Sequence, residues 1–180
     1  MRAPNGVPLA GARGGWGDVL HVQEEQNKLT TKTSRSDLPL KSREEVLRLA
    51  IEQFYFGYRA FTAPPDRILN QRGLGRVHHR ILYFVGRNPQ ISVNTLLSIL
   101  DVSKQALNAP LRQLIEMQLV AMGTAEHDKR VRQLTLTASG KKLEAQLTGT
   151  QMKQLLVVFE QAGVSAEAGW LQVMHSLIGQ

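Results

Sequence analysis

Cysteine is absent from the 180 residues of the chain. Its absence excludes disulfides, thiolate metal sites, cysteine nucleophiles and thiol redox sensing within this chain. No apolar run is long enough to span a membrane. The glycine-rich N-terminal segment also lacks the apolar core that a signal peptide needs. The sequence therefore predicts a soluble, cytoplasmic protein with no membrane partner.

Catalytic patterns are lacking as well. The sequence has no serine in a nucleophile turn, no glycine-rich phosphate loop and no close carboxylate pair in apolar surroundings. His78 and His79 are neighbours on a predicted helix, so their side chains point about 100° apart and do not readily grip one metal ion. We therefore expect no enzyme activity, no catalytic residue, no metal site and no cofactor.

Positive charge is present in excess and is unevenly distributed. The formal net charge is +7, and residues 72–132 hold nine Lys and Arg against four Asp and Glu. The rest of the chain is close to balance. A localised basic segment is the expected footprint of phosphate binding, although a solvated basic surface is the simpler alternative.

That basic segment contains the most ordered pattern in the chain. Ser92 and Ser103 each precede a helical apolar pattern, where a hydroxyl caps exposed backbone N–H groups. Asp101 lies between them, at a turn position where Asp tolerates a left-handed backbone. Leu134 and Leu136 alternate with polar residues, as in a half-buried strand. This order predicts a helix-turn-helix followed by a β-ribbon wing, in a mainly α protein with a small β-wing (α+β).

The sequence here resembles the MarR family of winged-helix regulators. The resemblance rests on Asp128-Lys129-Arg130, on Leu134-Thr135-Leu136-Thr137-Ala138-Ser139-Gly140 and on Leu100-Asp101-Val102-Ser103. It extends over roughly residues 42–178. It implies a winged helix-turn-helix flanked by N- and C-terminal helices that interlock across a two-fold axis to form a homodimer.

Four segments follow from this interpretation. Residues 1–40 form a flexible tail, unless Trp16 and Val19-Leu20 dock on the fold or on a partner. Residues 41–66 contain the N-terminal dimerisation helix, which runs to about Phe61 and is ended by Pro64-Pro65. The DNA-binding domain spans 72–137, and 138–180 hold the C-terminal dimerisation helices, with a break or kink at Gly149 as one option. The alternative is that the terminal helices pack within one chain.

The recognition helix is predicted from Lys104 to about Met117, with its first residues pointing at base edges. Gln105 and Asn108 share a face and can read bases. Lys104 and Arg112 are candidates for phosphate or guanine, and the Ser103 hydroxyl for phosphate.

The wing supplies a second set of predicted DNA contacts. Arg130 is expected to enter the minor groove, and Lys129 and His127 to contact the phosphate backbone. Arg132 is a further predicted DNA contact. The resemblance implies that Asp128 structures the wing by pairing with Arg130 or Arg132.

Pro110 departs from the family pattern, two turns into the recognition helix. One interpretation is that it kinks the helix and re-aims the base-reading residues; the other is that the core holds both halves and tolerates it. Ala106 and Leu107 are expected to pack inside.

The resemblance also implies a small aromatic or anionic effector, bound between the dimerisation helices and the winged helix. The candidate residues are Tyr55, Tyr58, Arg59, His78, His79 and Tyr83. A guanidinium beside aromatic rings suits an aromatic carboxylate. The alternative is that these side chains are interface packing with a satisfied polar rim.

The sequence as a whole predicts a homodimeric regulator, a repressor that binds a pseudo-palindromic site in double-stranded DNA and is released by its effector. Two alternatives differ in class: a winged helix that binds proteins rather than DNA, and a small-molecule binder or enzyme built on the helical bundle.

Overall fold

The structure is a computed structural model that describes residues 42–124 and 130–179. Within those ranges the chain forms six helices and three strands. In chain order they are α1 (Arg43–Asn70), α2 (Arg76–Arg87), β1 (Ile91–Ser92), α3 (Val93–Leu100), α4 (Lys104–Glu116), β2 (Val120–Thr124), β3 (Arg132–Leu136), α5 (Ala138–Ala162) and α6 (Val164–Ile178). The predicted mainly helical architecture with a small β-wing is confirmed. The tail, residues 1–40, lies outside the described residues.

Helix α1 starts at the predicted capping box. The Ser42 hydroxyl accepts a hydrogen bond from the backbone N–H of Glu45 at 3.2 Å. In return, the Glu45 carboxylate accepts one from the backbone N–H of Ser42 at 2.7 Å. Two of the unpaired N–H groups at the helix start are thereby satisfied.

The prediction that Pro64 and Pro65 end this helix is wrong, because both prolines lie inside α1. The connection to α2 therefore begins after Asn70. Proline has no N–H, so Pro65 leaves the carbonyl of Phe61 without its usual donor. The Gln151 amide of α5 donates to that carbonyl at 3.5 Å, and the Pro65 ring is fully buried. These tertiary contacts thus offset the free-energy cost of placing Pro65 inside a helix.

A left-handed glycine ends α1. Gly73 has φ +67° and its N–H bonds to the carbonyl of Asn70 at 3.2 Å, while the N–H of Leu74 bonds to the carbonyl of Leu69 at 3.0 Å. This pair of bonds is a Schellman motif, and its usual apolar contact is supplied by Leu69 and Leu74, both buried in the core. The turn between α1 and α2 is therefore tightly defined.

The three strands form one antiparallel sheet in the order β1-β3-β2. Leu134 in the central strand pairs with Ile91 of β1 and with Met122 of β2. The sheet packs on a core to which α2, α3, α4 and α5 contribute. Its fully buried side chains include Ile81, Leu82, Leu96, Leu107, Leu114, Leu134 and Leu147.

The C-terminal helices are more exposed than the core helices. Helix α5 continues without interruption through Gly149, so the break considered there does not occur, and it ends at Gly163 as expected. No residue of α6 is buried within the described chain. Its Trp170 ring meets Phe159 of α5 edge-to-face, with centroids 5.6 Å apart. Among the described helices, none is both long and apolar enough to cross a membrane.

Candidate DNA-binding surface

The helix-turn-helix has the capping and turn geometry that its sequence predicts. The Ser92 hydroxyl accepts from the backbone N–H of Thr95 at 3.0 Å. The Ser103 hydroxyl accepts from the backbone N–H of Ala106 at 3.2 Å. Asp101 between the two helices has φ 49° and ψ 51°, the left-handed conformation expected of it. The start of α4 is therefore fixed relative to α3.

Helix α4 has one buried and one exposed face. Leu107, Leu111 and Leu114 are buried in the core. The opposite face exposes the side chains predicted to contact DNA, namely Lys104, Gln105, Asn108 and Arg112. Since Ser103 uses a lone pair for its cap, its O–H can still donate to a phosphate oxygen. The helix thus exposes hydrogen-bond donors and acceptors of the types that are used for base and phosphate contacts.

The structure corrects one detail of this helix and bears on another. Leu107 is buried as predicted, but Ala106 is exposed, because it faces away from the leucine stripe. Helix α4 continues through Pro110, whose missing N–H leaves the Ala106 carbonyl without its intrahelical donor. Leu107 and Leu111, on either side of Pro110, are both buried. This anchoring supports the interpretation in which the core tolerates the proline.

Arg112 forms a loose ion pair with Glu116 one turn later, at 3.8 Å and with both side chains largely exposed. Such a pair contributes at most about 0.5 kcal/mol. A phosphate or a guanine edge can therefore compete for the guanidinium at little cost.

The wing is described in part. Arg130 and Arg132 are both exposed, and Arg132 begins β3 opposite Thr124 of β2. The predicted phosphate contacts Lys129 and His127 and the wing-structuring residue Asp128 lie outside the described residues. Two of the predicted wing cations are thus exposed at or just before the start of β3.

The base of the wing is held by residues that the sequence analysis used only as a family pattern. The Thr137 hydroxyl donates to the carbonyl of Gln118 at 2.7 Å and accepts from the N–H of Gly140 at 3.0 Å. The N–H of Thr137 bonds to the carbonyl of Leu119 at 3.1 Å. Thr137 therefore ties the end of α4 to the start of α5. Thr137 stands just before a helical pattern, and that position indicates a role as a helix cap.

Part of the basic segment is engaged away from this surface. Arg76 forms an ion pair with Asp66 at 2.7 Å, and Arg80 donates to the Tyr58 hydroxyl at 3.2 Å. Both contacts join α2 to α1. The positively charged residues of 72–132 therefore lie in two places. Some contact the junction of α1 with α2, and others are exposed on α4 and the wing.

The six predicted effector residues lie in several different local settings. A cavity of about 440 Å³ lies between α1, α5 and α6, and Tyr58 is the one of the six that lines it. On α1, the Arg59 guanidinium lies 5.7 Å from the Tyr55 ring centroid, and Tyr83 stacks edge-to-face on Phe84. The cavity lining is Gln53, Phe54, Gly57, Tyr58, Ala60, Phe61, Gln154, Leu155, Val158, Trp170 and Met174.

The two histidines differ in surroundings. His78 bonds through both ring nitrogens, to Gly75 and to Gln113. The Nε2 atom of His79 is buried and has no hydrogen-bond partner among the described residues. Burial lowers the pKa of His79, and the nearby carboxylates of Glu144 and Asp66 offset part of that effect. Across the described residues, no group of three or more potential metal ligands occurs.

Comparisons with known proteins agree with this geometry. Residues 72–131 match the MarR family. The chain is 44% identical over 135 residues to the HTH-type transcriptional regulator PetP of Rhodobacter capsulatus, and the match covers 75% of this chain and 81% of PetP.

Solved structures share the fold. A crystal structure of a MarR family transcription regulator superposes with a TM-score of 0.65 at 18% identity, covering 75% of this chain and 89% of that one. A mutant of S. aureus MepR bound to an oligodeoxyribonucleotide gives 0.51 at 21% identity, covering 71% and 97%. With the helix-turn-helix, the three-stranded wing sheet and the extensive similarity to PetP, the chain belongs to the MarR family of winged-helix transcription regulators.

Proposed function

We propose that this chain binds double-stranded DNA as a homodimer and represses transcription at a pseudo-palindromic site. The observation that carries the proposal is the two-sided α4 helix. Its leucines anchor it in the core, and its opposite face exposes a lysine, an arginine and two side-chain amides. A helix presented in this way fits the major groove of B-DNA.

The exposed residues divide into base readers and backbone contacts. Gln105 and Asn108 can each make two hydrogen bonds to an adenine edge. Ser103, Lys104 and Arg112 flank them and hold the phosphates. In the wing, Arg130 and Arg132 enter the minor groove while Lys129 contacts the backbone. Asp128 holds the wing in shape by pairing with a wing arginine.

The proposed homodimer is supported by apolar surface that is exposed in a single chain. Ile51 of α1 is 71% exposed and Ile178 of α6 is 82% exposed. Other large apolar side chains exposed on α1, α5 and α6 include Phe54, Tyr55, Phe56, Met152, Leu156, Val157, Trp170, Leu171, Val173 and Leu177. Surface of this extent marks an interaction site. A two-fold dimer covers it and places two recognition helices one helical turn of DNA apart.

The cavity between α1, α5 and α6 is our candidate effector site. Its walls are largely aromatic and aliphatic, and no charged residue lines it. It therefore suits a neutral aromatic molecule better than an anion. Because it is built from the helices that we assign to dimerisation, an effector there would favour a different spacing of the two winged helices. That preference would weaken operator binding by population shift.

The test is selection of bound sites from random-sequence duplex DNA, repeated over a series of salt concentrations. We expect an enriched palindrome whose affinity falls steeply with salt, because neutralised phosphates release counterions. The dimer would appear as a doubled mass in solution. Weak binding at low salt without an enriched sequence would instead favour a winged helix that binds proteins, and the regulator proposal would be withdrawn.

A further inference from the structure

A side-chain bridge connects the start of α2 with the recognition helix. His78 is the third residue of α2, and its Nε2 atom lies 2.9 Å from Oε1 of Gln113 in α4. The Nε2 atom of Gln113 in turn donates to the carbonyl of Gly73 at 3.2 Å. Both side chains are partly buried. The α4 helix is thus bonded at one position both to α2 and to the turn that precedes it.

The hydrogen-bond pattern fixes the form of the imidazole. The Nδ1 atom of His78 accepts from the backbone N–H of Gly75 at 3.0 Å, so it carries no proton. The Nε2 atom must then be the protonated nitrogen, and it donates to the Gln113 carbonyl oxygen. Each group of the bridge has one role, and the Gln113 amide has a single orientation that satisfies both its bonds.

The other end of the bridge is rigid. Gly73 belongs to the Schellman turn that ends α1, and Gly75 is the residue that caps α2. Helix α2 is also tied to α1 by the ion pair between Arg76 and Asp66 and by the bond from Arg80 to Tyr58. A displacement of α1 would therefore move the turn and α2 together, and the bridge would pass that movement to α4.

We propose that His78 and Gln113 are positioning residues that set the orientation of the recognition helix and couple it to the end of α1. The inference rests on the proposed DNA binding. The bridge holds α4 against α2 through directed hydrogen bonds, which specify the angle of the helix in addition to the packing of its leucines in the core.

The experiment separates the bridge from the helix cap. In His78→Glu the carboxylate keeps the acceptor for the N–H of Gly75, as in a normal capping box, but has no proton for Gln113. His78→Gln retains both an acceptor and a donor. Gln113→Leu breaks the bridge from the α4 side. Each full-length variant is measured for affinity to the operator selected by the unmodified chain, for affinity to a random duplex of equal length, and for its melting temperature.

We expect His78→Glu and Gln113→Leu each to weaken operator binding about tenfold, because both break the hydrogen bond that joins α2 to α4; Gln113→Leu also removes the bond to the Gly73 carbonyl. Binding to random duplex should change much less, because phosphate contacts are independent of sequence and need a less exact geometry than paired hydrogen bonds to a base edge. His78→Gln should restore operator affinity, and the double variant His78→Glu/Gln113→Leu should lose no more than either single variant.

The inference is overturned if His78→Glu and Gln113→Leu bind the operator as tightly as the unmodified chain. It is equally overturned if operator and random-duplex affinity fall together with the melting temperature, since that pattern means general destabilisation. Failure of the proposed function looks different, because the unmodified chain would then enrich no operator.

Discussion

The backbone of Gly140 in α5 lies directly against the carbonyl oxygen of Leu119, so closely that a Cβ atom at position 140 would overlap that oxygen. Leu119 follows the end of α4, and its carbonyl also accepts from the N–H of Thr137. The glycine is therefore required by a backbone contact rather than by its own dihedral angles. This contact explains physically why the wing pattern ends in glycine.

Replacing Gly140 by alanine should destabilise the protein by about 3 kcal/mol, because a backbone oxygen cannot move aside as a flexible side chain can. Urea unfolding measures the change. The matched control is Gly149→Ala in the same helix, where a Cβ meets no atom within 4 Å. That control should stabilise the protein by about 0.5–1 kcal/mol, since alanine favours a helix. Equal effects of the two substitutions would refute the close contact.

A second stability prediction concerns Gln118, which follows the end of α4 and lies in the left-handed region with φ 55°. A side chain in that conformation is strained by about 1 kcal/mol, and glycine is not. Gln118→Gly should therefore raise the free energy of unfolding by roughly 0.5 kcal/mol. Lys142→Gly, at an exposed position within α5, should lower it by roughly 1 kcal/mol. A loss of stability for both variants in thermal unfolding would contradict the argument.

The buried His79 predicts a dependence of stability on pH. Burial lowers its pKa from the ordinary 6.5 in the folded state, so below about pH 6.5 the unfolded chain binds the proton more readily. The contribution of His79 to stability is then present above that pH and is lost as the pH falls towards the lowered folded-state pKa. In His79→Phe, unfolding free energy should fall less between about pH 7.5 and pH 5 than in the unmodified chain.

Gln154→Leu is the control for that measurement. It also removes a buried polar atom without a partner among the described residues, but the amide does not titrate. Its pH profile should therefore run parallel to that of the unmodified protein. If His79→Phe runs parallel too, the histidine does not carry the pH dependence.

On DNA, the proposed base reader Gln105 and the proposed wing cation Arg132 should respond differently. Gln105→Ala should cost about 1–3 kcal/mol at the selected operator and relax the preference for one base. Arg132→Ala should weaken binding to all sequences and reduce the salt slope by about one. Lys153→Ala, which removes one positive charge from α5, should do neither. Competition assays over a salt series distinguish the three, and a salt slope unchanged in Arg132→Ala would exclude Arg132 from the contacts.

The helix-turn-helix could be predicted from capping, turn and periodicity rules because each of these depends only on neighbouring residues. Ser92, Ser103 and Asp101 act within three residues of their own positions, and neighbouring sequence contains all that determines their geometry. The exposed face of α4 followed from the leucine period in the same way. These features could be predicted from the sequence alone, and they include the described residues proposed to contact DNA in α4.

Features that depend on distant residues could not be predicted in this way. The rule that Pro64-Pro65 ends a helix failed because Gln151, almost ninety residues later, supplies a donor to the freed carbonyl. The contact of His78 with Gln113, 35 residues later, was likewise not predicted, because it joins two different helices. Which faces of α1 and α2 meet other helices depends on tertiary packing that helical periodicity does not specify.

The double pairing of Leu134 has an evolutionary consequence. Because β3 is bonded on one side to β1 and on the other to β2, its register is fixed by two neighbours and does not depend on the connection that joins β2 to β3. Insertions and deletions between Thr124 and Arg132 can therefore accumulate without shifting the alternation of the strand. Wing length and composition can diversify among related proteins, and new DNA preferences can arise there, while the core below is inherited unchanged.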